Sequence, residues 1–182
     1  MPKGRLQEHI ESDLAPYDIW ANNELLTVTG GVSEFKNDYK FIIAHLKQLI
    51  EEYQLNIKAI GYDPHNADGF LSDLEELGIP LLEVTQSARF LNDATVDMQL
   101  NVKSGVVEYN KHNELLSWSF SNAKVVANSF GEIKVDKEPK ARTKRIDPVD
   151  ACIDAHVAYM KFKEDLDIDA EMENYLDAMG WN

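Results

Sequence analysis

The stretch whose reading decides the fold is Ile57-Lys58-Ala59-Ile60-Gly61-Tyr62-Asp63-Pro64, followed after a more polar segment by Gly78-Ile79-Pro80-Leu81-Leu82-Glu83-Val84-Thr85. Ile57 to Tyr62 is a short apolar run and predicts a buried strand, and Leu81 to Thr85 predicts a second. Ala67 to Leu77, between them, predicts a helix stopped at Gly78. Strand, helix, strand at this spacing is a βαβ unit, so the fold class is α/β with parallel strands joined by a right-handed crossover. Ligands of such folds bind beyond the carboxyl ends of the strands. Asp63 stands at one of those ends.

Upstream, Leu25 to Thr29 predicts a short strand ended by Gly30-Gly31, and Ser33 is placed to cap a helix running to about Tyr53. Phe35, Tyr39, Ile42, Ile43, Leu46, Leu49 and Ile50 recur along it at helical spacing. Met1 to Asn23 is polar and irregular and predicts a connector, with Pro16-Tyr17-Asp18-Ile19-Trp20 as an aromatic anchor in a loop. Downstream, Asn92 to Lys103 predicts a helix ending near Gly105. Val106 to Tyr109, Leu115 to Phe120 and Lys124 to Ala127 read as extended segments, and Asn128-Ser129-Phe130-Gly131 reads as a turn. Asp147 to Lys163 predicts a helix with Val149, Cys152, Ile153, Val157 and Met160 on its apolar face. The organisation expected is a connector (1–23), a single α/β domain (24–163) and an acidic tail (164–182), which adds a short helix from Ala170 to Met179 or stays mobile.

A chain of 182 residues, 44% of them apolar, can bury a core but leaves no room for a second full domain. The lone Cys152 excludes an internal disulfide and a CxxC metal knuckle, and agrees with a reducing, cytoplasmic setting. No apolar run has transmembrane length, and the amino-terminal residues lack the apolar stretch of a signal peptide. The net charge of −14 argues against a protein that coats nucleic acid. Half of that charge lies in 164–182, which holds seven acidic residues and neither Lys nor Arg. Lys134, Lys137, Lys140, Arg142, Lys144 and Arg145 instead cluster just before Asp147, a basic segment that reads either as a DNA contact or as a solvated loop. The histidines show no HExxH spacing, and GxGxxG, Walker A and GxSxG motifs are absent, so zinc hydrolase, dinucleotide-binding, ATPase and α/β-hydrolase chemistry lack support.

Two Asp-Pro pairs carry the chemistry. Pro64 pushes Asp63 toward extended backbone and gives its carboxylate a fixed direction, although Asp-Pro also starts ordinary turns. Asp147, before Pro148, suits a helix N-cap, and Asp150 suits the positive end of that helix, so capping alone explains both. If the helix start points at the strand end, Asp63 and Asp147 converge, with Asp150 or Asp154 further along the same helix face. Such carboxylates repel and raise one another's pKa until a cation neutralises them, and all-oxygen ligands select Mg²⁺ or Mn²⁺ over zinc.

Taken in order, Pro16-Tyr17-Asp18-Ile19-Trp20, Leu26-Thr27-Val28-Thr29-Gly30, Ile60-Gly61-Tyr62-Asp63-Pro64, Gln86, Leu116-Ser117-Trp118, Ser121-Asn122-Ala123-Lys124-Val125 and Lys144-Arg145-Ile146-Asp147-Pro148-Val149-Asp150-Ala151 are landmarks of one pattern. In them the chain resembles the carboxyl-terminal nuclease domain of the terminase large subunit of tailed bacteriophages, over about residues 5 to 163. The resemblance implies a ribonuclease H-like fold, a central mixed sheet flanked by helices. It also implies endonucleolytic hydrolysis of viral DNA by two Mg²⁺ or Mn²⁺ ions, with Asp63 and Asp147 as catalytic metal ligands and Asp150 in support. Double-stranded DNA, the terminase ATPase domain, the small terminase subunit and the portal are the implied partners, in the cytoplasm of a bacterial host, with a monomer expected for the isolated domain. The family carries a further aspartate on a first strand that this chain lacks, so the chain reads as part of a longer or split protein with an incomplete site. Weak metal binding and weak cleavage are expected, with an inactive remnant or docking module of the packaging motor as the alternative.

Overall fold

A computed structural model describes residues 1–30, 34–65, 67, 69–138 and 143–178. After a 3₁₀ turn at Lys3–Arg5, the elements run α1 (Leu6–Asp13), α2 (Tyr17–Asn22), α3 (Tyr39–Glu52), β1 (Ile60–Tyr62), α4 (Leu71–Glu75), β2 (Leu81–Glu83), α5 (Ala88–Lys103), α6 (Glu114–Asn122), β3 (Ala123–Ala127), β4 (Ile133–Lys137) and α7 (Asp147–Ala178).

The βαβ unit forms as its apolar runs dictate. β1 and β2 pair in parallel with Ile60 opposite Leu81 and Tyr62 opposite Glu83. Val84 N–H extends the ladder by donating to the Tyr62 carbonyl at 2.8 Å. Gly78, at φ +66°, reverses the chain after α4 in a left-handed conformation that costs glycine little. Ser87 caps α5 by accepting from Phe90 N–H. α7 then closes the layer over this unit, and Val84, Leu91, Ala94, Ile153 and Val157 form a buried cluster between β2, α5 and α7. Each of the Val, Leu and Ile side chains in it contributes roughly 1.5–3 kcal/mol by leaving water. β1 lies so close to α7 that a Cβ on Gly61 would stand 2.5 Å from the Asp154 carbonyl oxygen, so glycine here lets the strand end meet the helix.

The mixed α/β class expected from the sequence is the one that forms, as a parallel pair and an antiparallel hairpin, each two-stranded. In the hairpin Ala123 faces Lys137 and Ala127 faces Ile133 across the predicted turn. Several local expectations are corrected. Residues 1–23 are largely helical: Ala15, Tyr17 and Trp20 are buried in a second cluster against Leu6, Ile10, Leu115 and Trp118. Helices this short are marginal alone and are held by that packing. Leu25 to Thr29 makes only an isolated parallel bridge between Thr29 and Pro2. α3 begins at Tyr39 because Asp38 supplies the cap, accepting from Phe41 N–H at 3.0 Å, and the predicted cap Ser33 lies outside the described residues.

Leu115 to Phe120 is helical rather than extended. Asn113 caps the segment by accepting from Leu116 N–H at 3.0 Å, and Leu115, Trp118, Ser119 and Asn122 fall on one helical face turned inward. Lys134 and Lys137 belong to a strand, not to a loop. The acidic tail continues α7 without a break to Ala178.

Candidate active site

The ends of two strands and the body of a third meet one face of α7. Asp147, Asp150 and Asp154 stand at i, i+3 and i+7, which places them on one side of the helix. Asp63 follows β1, Gln86 follows β2, and Lys134 and Asp136 lie on β4. Gln86 Nε2 donates to Asp154 Oδ1 at 2.9 Å and to the Val84 carbonyl at 3.1 Å, so the end of β2 orients the Asp154 carboxylate. Lys134 Nζ sits 3.3 Å from Asp136 Oδ2 and donates to the Gln86 carbonyl at 3.4 Å.

The electrostatics mark this face as short of positive charge. Burial pushes the Asp150 carboxyl up to about 7, the charges of Asp147, Asp154 and Asp136 push it the same way, and Lys134 offsets only part of this. Burial also raises Asp154; the Gln86 hydrogen bond opposes that rise and the charge of Asp63 adds to it. Like-charge coupling therefore runs from Asp63 to Asp154, on to Asp150, and from Asp150 to Asp147 and Asp136.

Asp63 accepts from His65 N–H at 2.9 Å through Oδ1, the turn geometry that Asp-Pro favours, and remains exposed. Asp147 occupies the first helical position rather than the cap, since the Ile146 carbonyl already accepts from Asp150 N–H at 2.9 Å. The residue whose charge meets Asp63 is Asp154, about 10 Å further along the axis than Asp147 at 1.5 Å per residue. Among the described residues no three His, Cys, Asp or Glu side chains lie close enough, as they stand, to hold a metal ion. The donor chemistry is nonetheless carboxylate oxygen throughout, which fits a hard divalent cation.

The sequence model described as the terminase large subunit, endonuclease domain, matches residues 1–164. The chain belongs to that family. It is 32% identical over 148 residues to the terminase large subunit of Enterobacteria phage HK97, covering 80% of this chain and 28% of that one. Among solved structures, the crystal structure of the HK97 bacteriophage large terminase superposes with a TM-score of 0.72 at 31% identity, over 87% of this chain and 32% of that one. The chain thus spans under a third of the relatives it matches, and the likeness is consistent with the ribonuclease H-like class.

Within this terminase domain three of the four described cations of the predicted basic segment are engaged by acidic side chains. Lys134 pairs with Asp136, Lys144 lies 3.5 Å from Glu138, and Arg145 pairs with Asp13. Lys137 is exposed at the end of β4, while Lys140 and Arg142 lie outside the described residues. Arg145 is a structural cation: Asp13, with a side chain only 1% exposed, accepts from its Nε and from Tyr17 Oη at 2.8 Å, and His9 Nδ1 lies 2.7 Å from its guanidinium. No helix among the described residues is long and apolar enough to cross a membrane. Asp136 and the full weight of Asp154 were not predicted, and Gln86, a landmark of the family pattern, was given no role in the site. The i+7 spacing from Asp147 was the available signal for Asp154, and nothing local in the sequence announces that Gln86 holds it.

Proposed function

We propose that this terminase domain hydrolyses phosphodiesters of double-stranded viral DNA endonucleolytically, using Mg²⁺ or Mn²⁺ held between Asp63 and the Asp147, Asp150, Asp154 face of α7. The observation that carries this reading is the run of like charges on one face of α7, from Asp154, which Gln86 holds at the end of β2 and which feels Asp63, to the half-buried and raised Asp150, where an added cation removes a standing repulsion. Bound divalent ions would activate water and stabilise the leaving oxygen. The chain's own residues do the positioning. Gln86 fixes the direction of Asp154, Lys134 supplies one positive charge at the edge of the site, and Asp63 keeps Oδ2 clear of hydrogen bonds among the described residues. Asp63 and Asp147 are exposed and can rotate toward an ion. Packaging partners, namely the ATPase part of the subunit, the small subunit and the portal, and a place in the bacterial cytoplasm belong to the same proposal, as does a monomeric state for the isolated domain.

Supercoiled plasmid incubated with the chain and Mn²⁺ tests it. Slow nicking by the wild type that is absent from Asp63→Asn supports the reading. Equal nicking by both excludes Asp63. The alternative of an inactive docking module draws on one observation, that no three described ligands are yet close enough to close a metal site, and it predicts no Mn²⁺-dependent nicking at all.

A further inference from the structure

Two lysines close on one glutamate at the hairpin edge next to the acidic face. Lys124 Nζ lies 3.2 Å from Glu138 Oε1, and Lys144 Nζ donates to Glu138 Oε2 at 3.5 Å, so each ammonium meets a different oxygen of the same carboxylate. The three residues come from separate places in the chain: the start of β3, the position after β4 and the approach to α7. Lys124 faces Asp136 across the hairpin, Asp136 is one of the charges that act on Asp150, and Lys144 stands shortly before Asp147, so the trio borders the proposed metal ligands. The hydrogen bond and the charge of Lys124, followed by those of Lys144, hold the Glu138 carboxyl below its ordinary value. All three side chains are exposed, and an exposed ion pair is worth little, so a stronger anion exchanges readily for the glutamate. Lys134, paired with Asp136, and the exposed Lys137 add to the positive charge of this edge, in contrast to the net −14 of the chain.

We propose that Lys124 and Lys144 form a clamp for one backbone phosphate of duplex DNA, and that Glu138 occupies the clamp in the DNA-free protein as a mimic of that phosphate. A phosphodiester offers two unbridged oxygens that share a negative charge, as a carboxylate does, and it takes up the same two ammonium donors. When the duplex docks, its phosphate displaces Glu138 into solvent, and the clamp positions the neighbouring stretch of backbone beside Asp147 and Asp150. No base is read in this contact, so it sets register and not sequence preference. The proposal rests on the nuclease reading for its place in the reaction, but the binding it describes needs no metal.

The test is fluorescence anisotropy with the full chain in EDTA, using a labelled blunt duplex of about 20 base pairs over a series of salt concentrations. Glu138→Gln should tighten binding at low salt by about threefold to tenfold, because it frees two ammoniums and removes the competing anion. Glu52→Gln makes the same change of charge at the exposed end of α3 and should alter binding by less than about twofold. Lys124→Gln and Lys144→Gln together should weaken binding and reduce the slope of log affinity against log salt by about 1 for each lysine lost. In that background Glu138→Gln should bring no gain, since its effect acts through the two lysines. Urea midpoints close to that of the wild type confirm that these exposed substitutions leave the fold intact. Equal gains from Glu138→Gln and Glu52→Gln, a gain that survives loss of both lysines, or no duplex binding by Glu138→Gln at any salt would each overturn the clamp. Failure of the nuclease reading shows separately, as absence of Mn²⁺-dependent nicking by a chain that still binds duplex in EDTA.

Discussion

Asp13 and Asp150 are both carboxylates withdrawn from solvent, both within reach of the start of α7, and they sit in opposite electrostatic settings. Burial alone would raise Asp13, yet hydrogen bonds from Arg145, Ser12 and Tyr17 and the charge of Arg145 outweigh it and hold the carboxyl below its ordinary value. Around Asp150 burial acts in the same direction as the neighbouring charges, and the carboxyl rises to about 7. The same residue type thus serves structure where the chain supplies its cation, and on the proposed reading marks a site that takes its cation from outside.

Removing the internal cation gives the largest expected effect. Arg145→Ala leaves Asp13 buried without its charge partner and should cost about 3 kcal/mol, the lower end of the range for a broken buried pair because Arg145 is itself partly exposed. Urea unfolding with an unchanged slope reads this directly. If the loss is a few tenths, Asp13 is not held by Arg145 and the contrast between the two sites weakens.

The acid limb of stability sharpens the same point. The folded Asp13 carboxyl lies below its ordinary value of 3.8, so as pH falls the unfolded chain takes up the proton first. Its contribution is full above pH 3.8 and is lost as pH drops through the lower folded value. The stability gap between wild type and Asp13→Asn should therefore be wide at pH 6 and close as the pH is lowered below 3.8, measured as urea midpoints.

The smallest effect has the opposite sign. Asp150→Asn removes a half-buried charge and its repulsion from Asp147, Asp154 and Asp136, and should raise stability in EDTA by about 1 kcal/mol after allowing for solvent screening. It should also lower the extra thermal stability that Mn²⁺ gives the wild type. Destabilisation in EDTA would mean that Asp150 is held by contacts beyond the described residues.

These settings differ in how far the sequence displays them. The parallel pair was legible because an apolar run, a glycine stop and a second apolar run leave few alternatives, and the helix from Asp147 because Pro148 and the Val149, Ile153, Val157 spacing agree. The Asp13 network was not legible. Its members stand more than 130 positions apart, in the case of His9 and Arg145, and a polar amino-terminal segment shows no period strong enough to predict α1. α6 was misread because Leu-Ser-Trp-Ser-Phe alternates as a strand does, while the Asn113 cap and the inward face of Leu115 and Trp118 decide for helix. At the acidic face, Asp63 and Asp147 were visible through their prolines. Asp154 gains its importance from the close approach of Gly61 and from Gln86, both products of tertiary packing.

The measurement that tests the central claim most directly is a calorimetric Mn²⁺ titration at low salt and neutral pH on the wild type, Asp63→Asn, Asp147→Asn and Arg145→Lys. The account predicts binding by the wild type, loss of it in Asp63→Asn and Asp147→Asn, and retention in Arg145→Lys, whose charge serves the fold. Absence of binding by the wild type, or undiminished binding by both aspartate variants, would contradict a metal site built from the strand end and the α7 face.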